Sequence, residues 1–460
     1  MRYLCVHGHF YQPPRENPWL ETIELQDSAY PYHDWNQRIL AECYAPNTAA
    51  RILDADHKIA RIVNNYSAIS FNFGPTLLSW MQEKAPEAYA CVLEADRMSA
   101  DRFSGHGSAI AQVYNHPILP LANERDRRTQ VNWGVRDFQK RFGRLPEGMW
   151  LPETAVDLAS LDALAEAGIR FTVLAPYQAK CPEGEVLNTT CPYWVRLPSG
   201  RKIGVFFYNG PVSHAVAFER LLDDGEQFAQ RLLGGFTDAG CDQLVHIATD
   251  GETYGHHHSK GEMALAYALD YVQTRGLAAL TNYGEFLERN PPVSEIEIHE
   301  NTAWSCSHGI GRWSIDCGCN SGGGYGTWKQ GWRAPLRAAL DWLRDSVALC
   351  YEQQGRKLLR EPWEAREHYI RVILDRSPEV REEFASQHFT RRLSFLDKIK
   401  AWQLLEMQRH AMLMYTSCGW FFDELSGMET VQVIQYAGRV VQIAQEVFGC
   451  LLYTSDAADE

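Results

Sequence analysis

The chain has 460 residues, of which 45% are apolar, 22% charged and 12% aromatic, with 14 Trp. Such a composition can bury a large core, and it excludes an intrinsically disordered or low-complexity protein. Lys and Arg number 44 against 58 Asp and Glu, a net charge of −14, and with no basic block in the sequence, nucleic acid and anionic membranes are excluded as expected partners. The 12 Cys are scattered through the chain rather than concentrated as in small secreted scaffolds. No run approaches the ~20 apolar residues of a membrane helix. The N-terminus turns polar at His7, too early for a signal peptide. The expected setting is therefore cytoplasmic, with reduced thiols.

Along residues 1–290, short apolar runs repeatedly give way to polar, histidine-bearing or Gly/Pro motifs, with amphipathic stretches between them. The runs are Tyr3–Val6, Ala68–Phe71, Met149–Leu151, Phe171–Leu174, Ile203–Tyr208, Leu244–Ala248 and Leu277–Leu280. Each reads as a buried parallel strand. Val131, Val135, Phe138 and Phe142 form a helical stripe stopped by Gly143. Leu158, Leu161 and Leu164 form another ahead of Gly168, and Leu265, Leu269 and Val272 a third ahead of Gly276. Alternating strands and helices predict an α/β fold with right-handed crossovers, here an incomplete (β/α)7 barrel. In such a barrel the chemistry sits beyond the C-terminal strand ends.

Past Pro291-Pro292 the pattern changes. Residues 301–334 are rich in glycine and tryptophan, and helical patterns follow at 336–350, after Ser377-Pro378, and over roughly 389–415 and 428–448. Residues 291–449 are expected to be a mostly helical region that closes the cleft. The segment 450–460 resembles a translated sequencing adapter, so the natural chain is expected to continue past Gly449.

Two carboxylates stand at expected strand ends, Glu153 in Trp150-Leu151-Pro152-Glu153 and Asp250 in Thr249-Asp250-Gly251-Glu252. A carboxylate pair flanking a sugar can split a glycosidic bond, one member attacking the anomeric carbon while the other protonates the leaving oxygen. Each alone also fits a plain structural role, Glu153 at a helix N-terminus and Asp250-Gly251 in a turn. Histidines 7, 9, 116, 256, 257 and 258 form a second set. His7 and His9 are expected on opposite faces if the strand stays regular. One of them could join Asp250 and His256 around a metal, but neutral histidines that donate to a polar ligand or pack in a core are the preferred reading. Cys306-Ser307-His308 and Cys317-Gly318-Cys319 carry metal-compatible groups without the two-residue gap common in zinc sites, so loop packing is expected there. The run Gly322-Gly323-Gly324 lacks the residues of a phosphate loop. Among the tryptophans, Trp150, Trp304 and Trp420 are candidate stacking platforms for sugar rings.

The ordered set His7-x-His9 with Gln12-Pro13, Asn115-His116-Pro117, Trp150-Leu151-Pro152-Glu153 and Asp250-x-Glu252-x-x-Gly255-His256 resembles glycoside hydrolase family 57. The resemblance implies an enzyme acting on an α-glucan or maltooligosaccharide, either a hydrolase or a glucanotransferase. It places a nucleophile at Glu153 and a general acid/base at Asp250 in a retaining mechanism. Substrate contacts are expected at His7, His9, His116, Trp150, Glu252, His256, Trp304 and Trp420, with no metal and no cofactor. Phe10-Tyr11 intervene between His9 and Gln12, a departure from the family pattern. A metal-dependent polysaccharide deacetylase and a non-catalytic glucan-binding protein are the rival readings.

Overall fold

The computed structural model describes residues 1–238, 240–321 and 328–449. The triple-glycine run and the 450–460 tail fall outside the described residues. The fold is mixed α/β, with helices the larger share. The chain divides into two units. One comprises Met1–Gln12, Leu25–Val113 and Phe138–Ser305, and the other comprises Pro13–Glu24, Tyr114–Asp137 and the chain from Cys306 onward.

The first unit carries the parallel strands, here β1 (Arg2–Phe10), β2 (Ser70–Phe73), β3 (Ala111–Gln112), β4 (Met149–Trp150), β5 (Phe171–Leu174), β6 (Lys202–Phe207), β7 (Gln243–Asp250) and β8 (Ala279–Leu280). Each of the seven apolar runs overlaps one of these strands. β3 was not anticipated, because two residues are too few to show a period. β1 lies between β7 on one side and β2 and β8 on the other, all parallel. β3 pairs with β4, and β5 with β6, also in parallel. Isolated bridges, Phe71 to Ala109 and Gly148 to Phe171, join these groups. The mixed α/β class holds, and the described strands form no closed barrel.

Both faces of the sheet are covered, and eight of the nine β1 residues are buried. That burial explains why the runs are continuous rather than alternating. Helices Leu158–Glu166 and Gly261–Thr274 follow the expected leucine stripes and stop ahead of Gly168 and Gly276, both at positive φ. A bidentate pair between Arg144 and Asp96, at 2.7 and 2.9 Å, also ties down the chain at Ala109, whose N–H donates to Asp96 and whose carbonyl accepts from Arg144.

The second unit is helical. Helices Arg333–Leu358, Pro378–His388, Phe395–Leu413 and Met428–Phe448 match the four expected stretches. Its core includes the wholly buried Trp313, Trp420 and Tyr351.

The entry to β4 is tightly packed. A Cβ on Gly148 would lie 2.3 and 2.4 Å from ring atoms of the buried Phe171. Gly148→Ala should therefore destabilise the fold by about 1–3 kcal/mol through overpacking. Trimming the ring in Gly148→Ala/Phe171→Leu should return part of the loss in thermal unfolding. A single variant as stable as the wild type would contradict this packing.

Candidate active site

Strand register delivers the first group of side chains. His9 on β1 pairs with Asp250 on β7 and with Asn72 on β2, so all three stand at the same level near the C-terminal strand ends. Gln112 on β3 pairs in the same way with Trp150 on β4. Asn72 is fully buried and acts as the hub. Its Nδ2 donates to Gln112 Oε1 at 2.8 Å and lies 2.9 Å from His9 Nδ1, while Oδ1 lies 3.1 Å from His7 Nε2. The other nitrogen of His7 meets Ser70 Oγ at 3.0 Å. Both histidines thus reach one asparagine from one face. The expectation of opposite faces was wrong, because residues two apart on a strand share a face.

Trp150 forms the floor. It is wholly buried and stacks on His7 at 4.8 Å and on His9 at 5.1 Å, with Trp304 edge-on at 5.1 Å. Burial pushes both histidines down to about 3, His9 adding to the effect at His7, so the rings are neutral near pH 7. His7 has both nitrogens engaged, and Trp150 has the rings of His7, His9 and Trp304 against it.

Glu153 follows β4 in a single turn, Pro152–Thr154, and has φ 58° and ψ 20°. Thr154 next to it has φ 49°. Two successive non-glycine residues in the left-handed region store strain that neighbouring contacts must hold. The segment around Thr302 supplies them. Val156 pairs with Thr302, and Trp304 N–H donates to the Glu153 carbonyl at 2.9 Å. The Trp304 indole then donates to Glu153 Oε2 at 3.0 Å, and Ser305 Oγ to the same oxygen at 2.6 Å. Two donors on one oxygen orient the carboxylate.

Asp250 keeps surface open to water although protein crowds around it. Burial, and then the charge of Glu153, push its carboxyl up to about 7. Glu252 is buried, accepting from Tyr44 Oη at 2.5 Å and from the Tyr11 N–H at 3.0 Å. Burial and the charge of Asp250 push it up to about 8 against those hydrogen bonds. Glu252 thus braces the turn after β7 from inside through Tyr44 and Tyr11.

His256 turns to Glu42, with Nδ1 2.5 Å from Oε2, and lies edge-on to Trp35. No group of three or more potential metal ligands converges around Asp250 and the histidines among the described residues. The remaining two candidates lie in the second unit. His116, at φ 56°, places Nδ1 2.6 Å from Ser417 Oγ, and Ser417 N–H donates back to its carbonyl. Trp420 is wholly buried, with the Arg337 guanidinium over its ring at 4.1 Å and its indole N–H on the Arg333 carbonyl. It is a core residue of that unit and offers no open face for sugar stacking.

Asn72, Gln112, Tyr44 and Ser305 were not anticipated. A polar residue inside a wholly buried strand, as Asn72 is, was the one signal available in the sequence.

The model of glycosyl hydrolase family 57 matches residues 4–299, and the chain belongs to that family. A domain of unknown function matches residues 328–455. Curated relatives include α-amylase 1 of Dictyoglomus thermophilum, 25% identical over 41% of this chain and 26% of its own length. The 4-α-glucanotransferase of Thermococcus litoralis is 22% identical over 52% of this chain and 36% of its own. The chain thus spans about a quarter to a third of the length of these relatives. A solved exo-type maltose-forming amylase from Pyrococcus sp. ST04 shares the fold with a TM-score of 0.72 at 18% identity, covering 99% of this chain and 81% of that one.

The protonated Glu252 has a consequence for stability. Its carboxyl goes from an ordinary 4.5 to about 8 in the folded protein, so the folded state holds a proton that the unfolded chain releases. That contribution is complete below about pH 4.5 and fades as pH rises toward 8. Glu252→Gln keeps an acceptor for Tyr11 and Tyr44 and removes the titration. The melting temperature of the wild type should fall further between pH 5 and pH 8 than that of Glu252→Gln, with the difference read by calorimetry. Parallel curves would show that Glu252 does not hold that proton.

Proposed function

We propose that the protein is a retaining glycoside hydrolase or glucanotransferase acting on α-glucan, with Glu153 as nucleophile and Asp250 as general acid/base. The observation that carries this reading is the unequal pair of carboxyls. Glu153 is oriented by two donors, and Asp250 is raised to about 7 by burial and by the charge of Glu153. One group is then available to attack the anomeric carbon while the other protonates the departing oxygen. Family membership, and the α-glucan enzymes among the relatives, support the substrate class.

In this reading the sugar lies over the water-accessible face of Asp250, with His9 and Trp304 at its edges. Gln112 Nε2 is a buried donor without a protein partner, available to a hydroxyl-rich ligand or to water. The strands would be arranged as an interrupted (β/α) barrel, with the chemistry beyond their C-terminal ends. For a retaining enzyme the two carboxyl groups should stand roughly 5–5.5 Å apart when substrate is bound.

Glu153→Gln should lower kcat on maltooligosaccharides by about a thousandfold or more, because an amide cannot form the glycosyl ester, while binding changes little. Azide should rescue Glu153→Gly, giving a product of inverted anomeric configuration. Turnover that survives Glu153→Gln would overturn the assignment.

The pH profile offers an independent check. General-acid work needs Asp250 protonated, so kcat should decline as pH rises through about 7. Asp250→Asn should remove this limb along with most of the activity. A wild-type rate that stays level from pH 6 to pH 9 would contradict the role given to Asp250.

A further inference from the structure

We propose that Cys306, His308, Cys317 and Cys319 form a structural zinc site in the second unit. Their four ligand atoms all lie within 4.8 Å of one another. Cys306 Sγ stands 3.6 Å from Cys319 Sγ and 3.9 Å from Cys317 Sγ, and His308 Nδ1 stands 3.4 Å from Cys319 Sγ. With zinc–sulfur bonds of about 2.3 Å and zinc–nitrogen bonds of about 2.0–2.1 Å, a tetrahedron has edges of roughly 3.8 Å between sulfurs and 3.6 Å from sulfur to nitrogen. The three separations fall on those edges. They are much too long for a disulfide, whose sulfurs stand about 2.05 Å apart.

The sequence argument against a metal here was the single-residue gap in Cys317-Gly318-Cys319. Gly318 has φ 77°, and this left-handed turn lets the chain curl so that both sulfurs converge without the usual two-residue spacer. Gly309, at φ 72°, turns the chain after His308 in the same manner.

Charge supplies a second, independent observation. Arg333 is wholly buried, and its Nη1 lies 3.8 Å from Cys317 Sγ and 3.0 Å from the Cys319 carbonyl. Its Nη2 reaches the carbonyls of Phe421 and Phe422. A buried guanidinium is costly unless a negative group faces it. When zinc binds, the three thiols lose their protons to solvent, and one dication with three thiolates and a neutral imidazole carries a net charge of −1. Arg333 stands where that charge develops. Three sulfurs and one imidazole nitrogen in a tetrahedron suit zinc among the common divalent metals.

The site also answers a packing need. Residues 306–319 contain one short helical turn, Gly311–Trp313, and no strand. A metal held by these four residues would close the loop on itself, and the Cys319 and Trp313 carbonyls, accepting from Arg333 and Arg337, tie the closed loop to the Arg333–Leu358 helix.

The test uses the full chain, purified without chelator and passed through gel filtration. Metal analysis should find about one zinc per chain, and Cys319→Ser and Cys317→Ser should each lower it about tenfold, whereas Cys350→Ser should not. Cobalt(II) exchanged into the wild type should give the visible bands of a tetrahedral site together with near-ultraviolet sulfur-to-metal charge transfer. This spectrum needs no variant, so poor folding of the cysteine variants leaves the test intact. Chelation of the wild type should expose three further thiols to a thiol-reactive dye. Wild type with under about a tenth of an equivalent of zinc and no cobalt charge-transfer band would overturn the proposal, as would a disulfide among the three cysteines.

Discussion

The parallel register of three strands governs the first unit. Because β1 is held between β2 and β7 with His9 level with both Asn72 and Asp250, one buried amide can organise the side chains at these strand ends. Asn72 has a donor and an acceptor to share, and it uses them on two histidines and a glutamine. A slip of one residue in β1 would turn His7 and His9 to the other face and leave Asn72 with unmet hydrogen bonds in a dry interior. The register and the polar hub therefore require each other.

On this base the carboxylates are held by different means. Glu153 sits on strained backbone after a short strand, and the chain from Thr302 to Ser305 fixes both its carbonyl and its carboxylate. Asp250 ends β7 and Glu252 lies in the turn that follows it, where burial works against ionisation. Orientation by hydrogen bonds at one carboxylate and crowding at the next make the pair unequal, as the proposed two-step displacement would require. Burial among the stacked rings of Trp150, His7 and His9 keeps the histidines neutral, so no imidazolium forms there near pH 7.

The second unit relies on other contacts. Buried arginines pair with aromatic faces and backbone carbonyls: Arg337 lies over Trp420, Arg312 over Phe421, and Arg333 reaches three main-chain oxygens. Arg366 is anchored by Asp126 at 2.6 Å and by Thr129 at 2.9 Å. Such cations need anions or dipoles nearby, and the proposed zinc thiolates would add negative charge beside Arg333, which also feels the charge of Asp423.

The sequence alone marked seven of the eight parallel strands, the main helices and the two carboxylates, because each leaves a local mark. A buried parallel strand is a continuous apolar run, a helix repeats every three or four residues, and a carboxylate directly after an apolar run stands out. Where the chain departs from those periods, as at the two-residue β3, nothing local marks it. The roles within the site depended on contacts between residues far apart in the chain. Trp150 and Trp420 look alike in sequence as tryptophans near chemistry, yet one floors the carboxylate site and the other fills a core under Arg337. Ser305 gave no local sign that it would donate to a residue 152 positions earlier. The four potential metal ligands were visible as residues, but only the folded loop, with its left-handed turn at Gly318, brings three sulfurs and an imidazole together. Periodicity reports how a segment meets the solvent, whereas convergence of distant side chains is settled by how the elements pack, and that information is spread over the whole chain.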